Sequence, residues 1–125
     1  MLFDTDILIW VQRGNLRAAS LIDDSAERFI SVVSYMELLQ CANERKQHAT
    51  IKSFLREYNF QTIPLSENIG HRASIYIEEY SLSSGLRTGD ALIAATAIEH
   101  DMELATGNVK HFKALADLRL VRFKL

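Results

Sequence analysis

Three acidic residues, far apart in the sequence, stand where a short predicted strand or loop gives way to a helix. Asp4 ends an apolar strand, and Glu37 and Asp90 fall in the first turns of two later predicted helices. Carboxylate oxygens are the ligands that Mg²⁺ and Mn²⁺ prefer, and no Cys or His pair has zinc-site spacing. A divalent ion on such a cluster can bind a phosphate oxygen and activate a water for in-line attack. The acids predict metal-assisted phosphoester chemistry if the fold brings them together.

Each of these acids, taken alone, also fits a role as a helix cap. Residues 34–37 (SYME) match the capping box S-x-x-E, Asp90 would favour the dipole of its helix, and Asp4 or Asp6 could cap the first helix. Two carboxylates about 4 Å apart, however, repel by about 4 kcal/mol at an effective dielectric near 20. This repulsion exceeds the stabilisation that a helix cap usually provides. Acids that close would need a cation or a shared proton.

The elements that must position these acids alternate between strands and helices. Strands are predicted over residues 1–4, 28–33, 103–106 and 118–123, with a further extended segment at 60–65. Helices are predicted over residues 5–14, from 15 onward, and over 34–45, 46–58, 67–82 and 88–101, with a short helix or turn at 108–115. Such alternation indicates a three-layer α/β/α fold with a central, mainly parallel sheet of four or five strands. The carboxyl ends of parallel strands share one edge, where ligands bind.

Length and hydropathy bound the rest of the organisation. The 125 residues fit a single domain spanning 1–125. The helix near 88–100 is apolar almost all round, which places it in the core or at a dimer interface. The lone Cys41 predicts a buried thiol in a reducing compartment, and no apolar run reaches the ~20 residues that a membrane span needs. We therefore expect a cytoplasmic protein without a membrane contact.

The charge distribution leaves the site of substrate contact open. The net charge of -2 argues against binding nucleic acid through overall basicity. Two stretches are nonetheless basic: residues 45–56 carry four cations and no acid, and residues 110–125 carry five cations and one acid. Either stretch could attract a phosphate backbone or be an ordinary solvated face. Arg87, three residues before Asp90, could touch a scissile phosphate or be a plain surface arginine.

The sequence resembles the PIN domain, in particular the VapC-type toxin ribonucleases of toxin–antitoxin modules. An apolar strand leads into D-T-D at 4–6, S-x-x-E-L covers 34–38, and DALIAATA covers 90–97. The segment ELATGNVKHF at 103–112 is similar to the family pattern L-x-T-x-N-x-x-x-F. The motifs occur in the family's order along nearly the whole chain, so the resemblance implies a PIN-like α/β/α domain.

The resemblance also implies roles for individual residues. Asp4, Glu37 and Asp90 would be the acidic metal ligands. The same pocket would be lined by Asp6, Thr106 and Asn108. Many family members have a fourth acid at the position of Asn108 or three residues later, where this chain has His111. Since an Asn carbonyl can coordinate Mg²⁺ or hold a water, we expect at most one tightly held ion and regard His111 as a surface or loop histidine rather than a ligand.

The resulting hypothesis is a Mg²⁺-dependent endoribonuclease, with Mn²⁺ able to substitute, in which Asp4, Glu37, Asp90 and Asn108 act on RNA. One alternative is a catalytically weak PIN-like module that binds RNA or a partner. Another is a small phosphatase related to the haloacid dehalogenases, whose D-x-D-x-[TV] motif residues 4–8 satisfy except at the last position. Their later acid would fall at residue 94, which is Ala.

The family resemblance further implies two protein partners. VapC-like proteins are commonly homodimers and are held inactive by a cognate antitoxin that covers the active-site groove. Apolar side chains that such a partner could cover, or that could simply be core, are Ile7, Trp10, Leu38 and Phe54. The amphipathic helix predicted at 46–58 is the first candidate for a contact surface.

Overall fold

Five short strands and seven helices alternate along residues 1–124, the part of the chain that this computed structural model describes. The strands are β1 (Leu2–Phe3), β2 (Arg28–Ser31), β3 (Phe60–Ile63), β4 (Leu104–Thr106) and β5 (Leu120–Arg122). The helices are α1 (Thr5–Gln12), α2 (Leu16–Asp23), α3 (Val32–Cys41), α4 (Arg45–Glu57), α5 (Glu67–Ser84), α6 (Thr88–Glu99) and α7 (Val109–Phe112).

The strands form one sheet in the order β3-β2-β1-β4-β5, and every pairing is parallel. This confirms the predicted three-layer α/β/α fold and makes the sheet parallel throughout. From β1 the chain moves outward to β2 and β3, then crosses back to β4 on the other side of β1. The order therefore reverses between β1 and β4, and open α/β sheets bind ligands at the carboxyl ends of strands beside such a switch point.

Alternating side chains of the inner strands cover the two faces of the sheet. Leu2 and Leu104 belong to one apolar cluster with residues of α5, α6 and α7. Phe3 and Ala105 belong to a second cluster with residues of α1, α2 and α4. All four side chains are fully buried, as expected for a parallel sheet with helices on both faces.

The apolar helix α6 lies in the core. Its residues Ala91 and Ile93 to Ala97 are buried, and it packs along α5. The sequence predicted that this helix lies in the core or at a dimer interface, and the core position is correct. Burial of this helix fixes the position of its first turn, which carries Asp90.

The boundary between β2 and α3 differs from the prediction. The strand ends at Ser31 and the helix begins at Val32, whereas the sequence predicted a strand through 33 and a helix from Ser34. The Ser31 hydroxyl accepts the backbone N–H of Val33 at 3.0 Å and caps the helix. The predicted capping box at residues 34–37 is therefore wrong, and Glu37 lies in the second helical turn instead of the first.

Cys41, predicted to be buried, is instead exposed, as the last residue of α3. Within residues 1–124, no helix combines the length and the apolar character that crossing a membrane requires.

Candidate active site

Asp4 forms the floor of a cleft at the switch point. It directly follows β1 and caps α1, since its Oδ1 accepts the backbone N–H of Thr5 at 2.8 Å. Its Oδ2 accepts the hydroxyl of Thr106, at the end of β4, at 2.7 Å. Only 6% of Asp4 is exposed. The predicted capping role is correct for Asp4, but each carboxylate oxygen has a further lone pair that a cation could use.

The environment of Asp4 disfavours its charged form. Burial, followed by the nearby charge of Asp6, raises the pKa of Asp4 to about 7, with a smaller contribution from Asp90. The hydrogen bonds from Thr106 and Thr5 oppose this rise. An ionised Asp4 therefore lacks compensating positive charge, and a cation placed beside it would supply that charge.

Glu37 reaches the cleft from the second turn of α3. The Thr5 hydroxyl oxygen lies 2.6 Å from Glu37 Oε1 and 2.9 Å from the Ser34 hydroxyl oxygen. Because a hydroxyl has one proton, Thr5 donates to the carboxylate and accepts from Ser34. A Cβ atom added at Gly89 would lie 3.2 Å from Glu37 Oε2. Glu37 is thus fixed from one side by Thr5 and faces the first turn of α6 with its other oxygen.

Asp90 lies in that first turn. Its Oδ2 accepts the backbone N–H of Arg87 at 3.2 Å and lies 3.4 Å from His111 Nδ1. The hydrogen bond from Arg87 bears out the capping role for this acid. The residue Arg87 is itself exposed, and it contacts Asp90 through its backbone and not through its guanidinium.

Asp6 connects α1 to the loop after β4. Its Oδ2 accepts the backbone N–H of Gly107 at 2.9 Å, and its buried Oδ1 has no hydrogen-bond partner among the described residues. Burial raises the pKa of Asp6, and the Gly107 hydrogen bond partly offsets this effect. A Cβ atom added at Gly107 would lie 3.0 Å from Asp6 Oδ2, so a larger residue at position 107 would require this carboxylate to shift.

Asn108, which lines the cleft, immediately precedes α7, and His111 lies within α7. The Asn108 backbone N–H donates to the Thr106 hydroxyl oxygen at 3.0 Å, and its Nδ2 lies 2.7 Å from His111 Nδ1. The His111 side chain is 24% exposed and lies between Asn108 and Asp90. His111 therefore adjoins Asp90, one of the predicted ligands, and contacts Asn108.

The cleft has a volume of about 670 Å³. Its lining includes five of the predicted site residues, Asp4, Asp6, Glu37, Asp90 and Asn108. Thr106 is fully buried beneath the floor, and Arg87 is outside the lining. Sequence reasoning missed Thr5 and Ser34, although Thr5 stands between two acids in the D-T-D motif. It also missed the wall residues Ile9, Cys41, Gly107, Phe123 and Lys124, and it considered the wall residue Trp10 only as a side chain that a partner could cover.

The donor set of the cleft suits a hard divalent cation. Its side chains offer carboxylate oxygens, and the unpartnered Asp6 Oδ1 is the kind of buried atom that an ion or an ion's water satisfies. Among residues 1–124, no three acidic or histidine side chains already enclose a common point as a complete ligand set. Mg²⁺ fits such an open arrangement, because it keeps several waters and takes few carboxylates directly.

Comparison with known proteins identifies the family of this fold and cleft. The PIN domain family matches residues 1–118. The chain belongs to the PIN domain family. A curated relative, Ribonuclease VapC10 of Mycobacterium tuberculosis, is 34% identical over 95% of this chain and 90% of its own length. Ribonuclease VapC1 of Rickettsia felis is 30% identical over 97% of this chain and 94% of its own length.

Solved structures agree with this assignment. A toxin–antitoxin complex from Klebsiella pneumoniae contains a chain with a TM-score of 0.83 and 30% identity, covering 99% of this PIN domain and 98% of that chain. VapBC2 from Rickettsia felis, bound to a DNA fragment from its promoter, has a TM-score of 0.77 at 21% identity, with 98% of each chain covered, and supports the fold alone. The resemblance stated from the sequence motifs is confirmed.

Proposed function

We propose that this PIN domain is a metal-dependent endoribonuclease, the toxin of a type II toxin–antitoxin system, which hydrolyses RNA phosphodiester bonds. The observation that carries the proposal is the meeting of Asp4, Glu37 and Asp90, from three separate elements, in one cleft at the switch point. The ribonuclease names of its VapC relatives support the reaction class.

Asp4, Glu37 and Asp90 are the residues we assign to hold Mg²⁺, with Mn²⁺ able to substitute. When bound, such an ion would polarise a phosphate oxygen and lower the pKa of a coordinated water. The hard oxygen donors and the open geometry favour these ions over zinc. The assignment is clearest for Glu37. Its position in the second helical turn excludes the capping role that Asp4 and Asp90 also have.

The remaining polar residues of the cleft position these acids. The Thr106 and Thr5 hydroxyls hold the carboxylates of Asp4 and Glu37 in fixed orientations. We assign Asn108 and Asp6 to orient water, because Asn108 offers an amide and Asp6 an unpartnered buried oxygen. Arg87, exposed beside the first turn of α6, is assigned to a phosphate contact at the rim.

An antitoxin is the proposed regulatory partner, and a homodimer is the proposed assembly. An apolar groove of about 580 Å³ runs between α1, the end of α3 and α4, and it shares Ile9 and Cys41 with the acid cleft. Phe54 and the almost fully buried Leu38 line this groove, whereas Ile7 is buried and lies outside its lining. We place the antitoxin segment in this groove because a chain lying there can continue directly over the acids.

Cleavage of RNA by the purified, antitoxin-free protein tests the function. With Mg²⁺ or Mn²⁺, a 5′-labelled RNA should yield discrete internal fragments, and EDTA should abolish them. Asp4→Asn and Asp90→Ala should each lower the cleavage rate by at least about 100-fold, since each removes a carboxylate from the site. Robust cleavage by the Asp90→Ala protein would contradict the assignment. RNA binding without turnover under any divalent ion would instead establish the binding-module alternative.

A further inference from the structure

A line of exposed cations leads away from the acid cleft. Phe123 and Lys124 line the cleft together with Gly107 and Asn108. A neighbouring depression is lined by residues 107–110 and 122–124, and a third one by Arg122 to Lys124 and several residues of α2. These three concavities are contiguous because they share Phe123 and Lys124. Their cations, which we call the basic track, are Arg17, Lys110, Arg122 and Lys124.

The cations of the basic track are available for an external partner. All four residues are exposed, and no carboxylate of residues 1–124 lies within salt-bridge distance of any of them. Arg119, by contrast, is 3.0 Å from Asp101 Oδ1. The two depressions beside the cleft contain one acidic lining residue, Asp24, which is not part of the cleft lining. The track therefore presents a concentrated positive charge.

The backbone joins this track rigidly to the acid cleft. Arg122 pairs with Thr106 in the register of β4 and β5, and the Phe123 backbone N–H donates to the Thr106 carbonyl at 2.9 Å. Thr106 in turn holds Asp4. A strand of substrate lying on these cations is thereby placed at a fixed position relative to the acids.

The other basic stretch of the sequence occupies a different part of the surface. Lys52 and Arg56 line a depression formed with Tyr35 and residues 59–62. This depression has no lining residue in common with the acid cleft. The two stretches are equally basic in the sequence, but only the carboxyl-terminal one places a cation, Lys124, in the lining of the acid cleft.

We infer that the basic track is the path by which single-stranded RNA enters the acid cleft, its phosphates lying along Arg17, Arg122, Lys124 and Lys110. This inference rests on the proposed function. The acids repel a polyanion, so the cations next to them must supply the attraction that brings the backbone to the cleft. Trp10 on the cleft wall adds an aromatic surface, and a charged groove with an aromatic platform is typical of single-strand binding.

Fluorescence anisotropy with a 5′-labelled single-stranded RNA in EDTA tests the track without cleavage. Lys110→Ala/Arg122→Ala/Lys124→Ala should weaken binding at least about tenfold and reduce the slope of log K against log salt by about 2, as expected for three lost phosphate contacts. The matched control Lys46→Ala/Lys52→Ala/Arg56→Ala removes the same charge from the other stretch and should change affinity less than about twofold. Lys110→Glu, a single change at an exposed position, provides a second variant should the triple variant not fold.

The outcomes separate the track from the proposed function. Equal losses of RNA affinity in both triple variants, or no loss of affinity in the track variants, would overturn the inference. A duplex of the same sequence that binds as tightly as the single strand would also overturn it. So would track variants that keep the wild-type affinity for RNA but no longer bind an acidic protein partner. Wild-type protein that binds RNA through the track but never cleaves it with Mg²⁺ would overturn the proposed function and leave the track standing.

Discussion

The Thr106 hydroxyl donates a 2.7 Å hydrogen bond to Oδ2 of Asp4 and so joins the carboxyl ends of the adjacent strands β1 and β4. Both residues are buried, and this bond lowers the pKa of Asp4 against the larger effect of burial. Thr106 also accepts the backbone N–H of Asn108 at 3.0 Å. The Thr106 hydroxyl therefore orients both Asp4 at the floor of the cleft and Asn108 in its wall.

Thr106→Val should weaken metal binding by raising the pKa of Asp4 further. Loss of a hydrogen bond to a charged group costs about 1.5–3 kcal/mol, so affinity for Mn²⁺ at pH 7 should fall at least about tenfold and recover as the pH rises. Thr106→Ser keeps the hydroxyl and serves as the control. Isothermal titration calorimetry from pH 6 to pH 9 measures the effect; an unchanged pH midpoint in the Val variant would contradict it.

The metal-free protein should lose stability as the pH rises from about 4 to about 7. The pKa of Asp4 is about 7 in the folded state against an ordinary value of 3.8, so the folded protein holds a proton that the unfolded chain releases in this window. The stabilisation is complete below pH about 4 and is lost above about 7, which corresponds to about 4 kcal/mol from this group. The raised pKa of Asp6 acts in the same direction.

Urea unfolding in EDTA across this pH range measures that loss. Asp4→Asn should flatten the pH dependence, because its side chain does not titrate. Asp117→Asn, at an exposed position outside the cleft, should leave the dependence as in the wild type. Stability that stays constant or increases between pH 4 and pH 7 in the wild type, with the same curve in Asp4→Asn, would refute the raised pKa.

Gly89→Ala should disturb the metal site without unfolding the protein. The added Cβ would lie 3.2 Å from Glu37 Oε2, so the carboxylate must shift by a few tenths of an ångström. A misplaced ligand should lower Mn²⁺ affinity about tenfold. Gly70→Ala is the matched control, because Gly70 also lies in a helix and its added Cβ would meet nothing within 4 Å. Equal Mn²⁺ affinities in the two variants would be the contrary result.

The number of bound ions should depend on position 111. With Asn108 and His111 in place of a fourth acid, the wild type should bind one Mn²⁺ tightly. His111→Asp puts a carboxylate near Asp90 and should add a second ion, since adjacent carboxylates need a cation between them. Electron paramagnetic resonance titration counts the ions, with His111→Asn as the uncharged control. Two tight ions in the wild type would show that the fourth acid is dispensable.

The alternation of strands and helices was enough to predict the fold class, because crossover connections and burial on both faces restrict the topology strongly. The predicted parallel sheet also allowed Asp4, Glu37 and Asp90 to be assigned to one edge, because the carboxyl ends of parallel strands share that edge. The start of α3 was mispredicted, since the β-branched pair Val32 and Val33 favours a strand locally, whereas Ser31 caps a helix that begins at Val32.

Contacts between distant segments could not be predicted from the sequence pattern. The Thr5 hydroxyl bonds to Glu37, and Asp6 bonds to the backbone of Gly107, through pairings that only the assembled sheet creates. The capping roles of Asp4 and Asp90 were predictable from local spacing. The corrected position of Glu37 followed only from the observed helix start at Val32, and it removed the main alternative to a ligand role.

Thermal unfolding of the wild type and Glu37→Gln, with and without Mn²⁺ at pH 8, tests the metal site most directly. Gln can still accept the Thr5 hydroxyl, and residue 37 caps no helix, so the substitution removes charge and little else. Mn²⁺ should raise the melting temperature of the wild type and leave that of Glu37→Gln unchanged, while the metal-free variant should be at least as stable as the metal-free wild type. Equal stabilisation of both proteins by Mn²⁺ would contradict the proposed site.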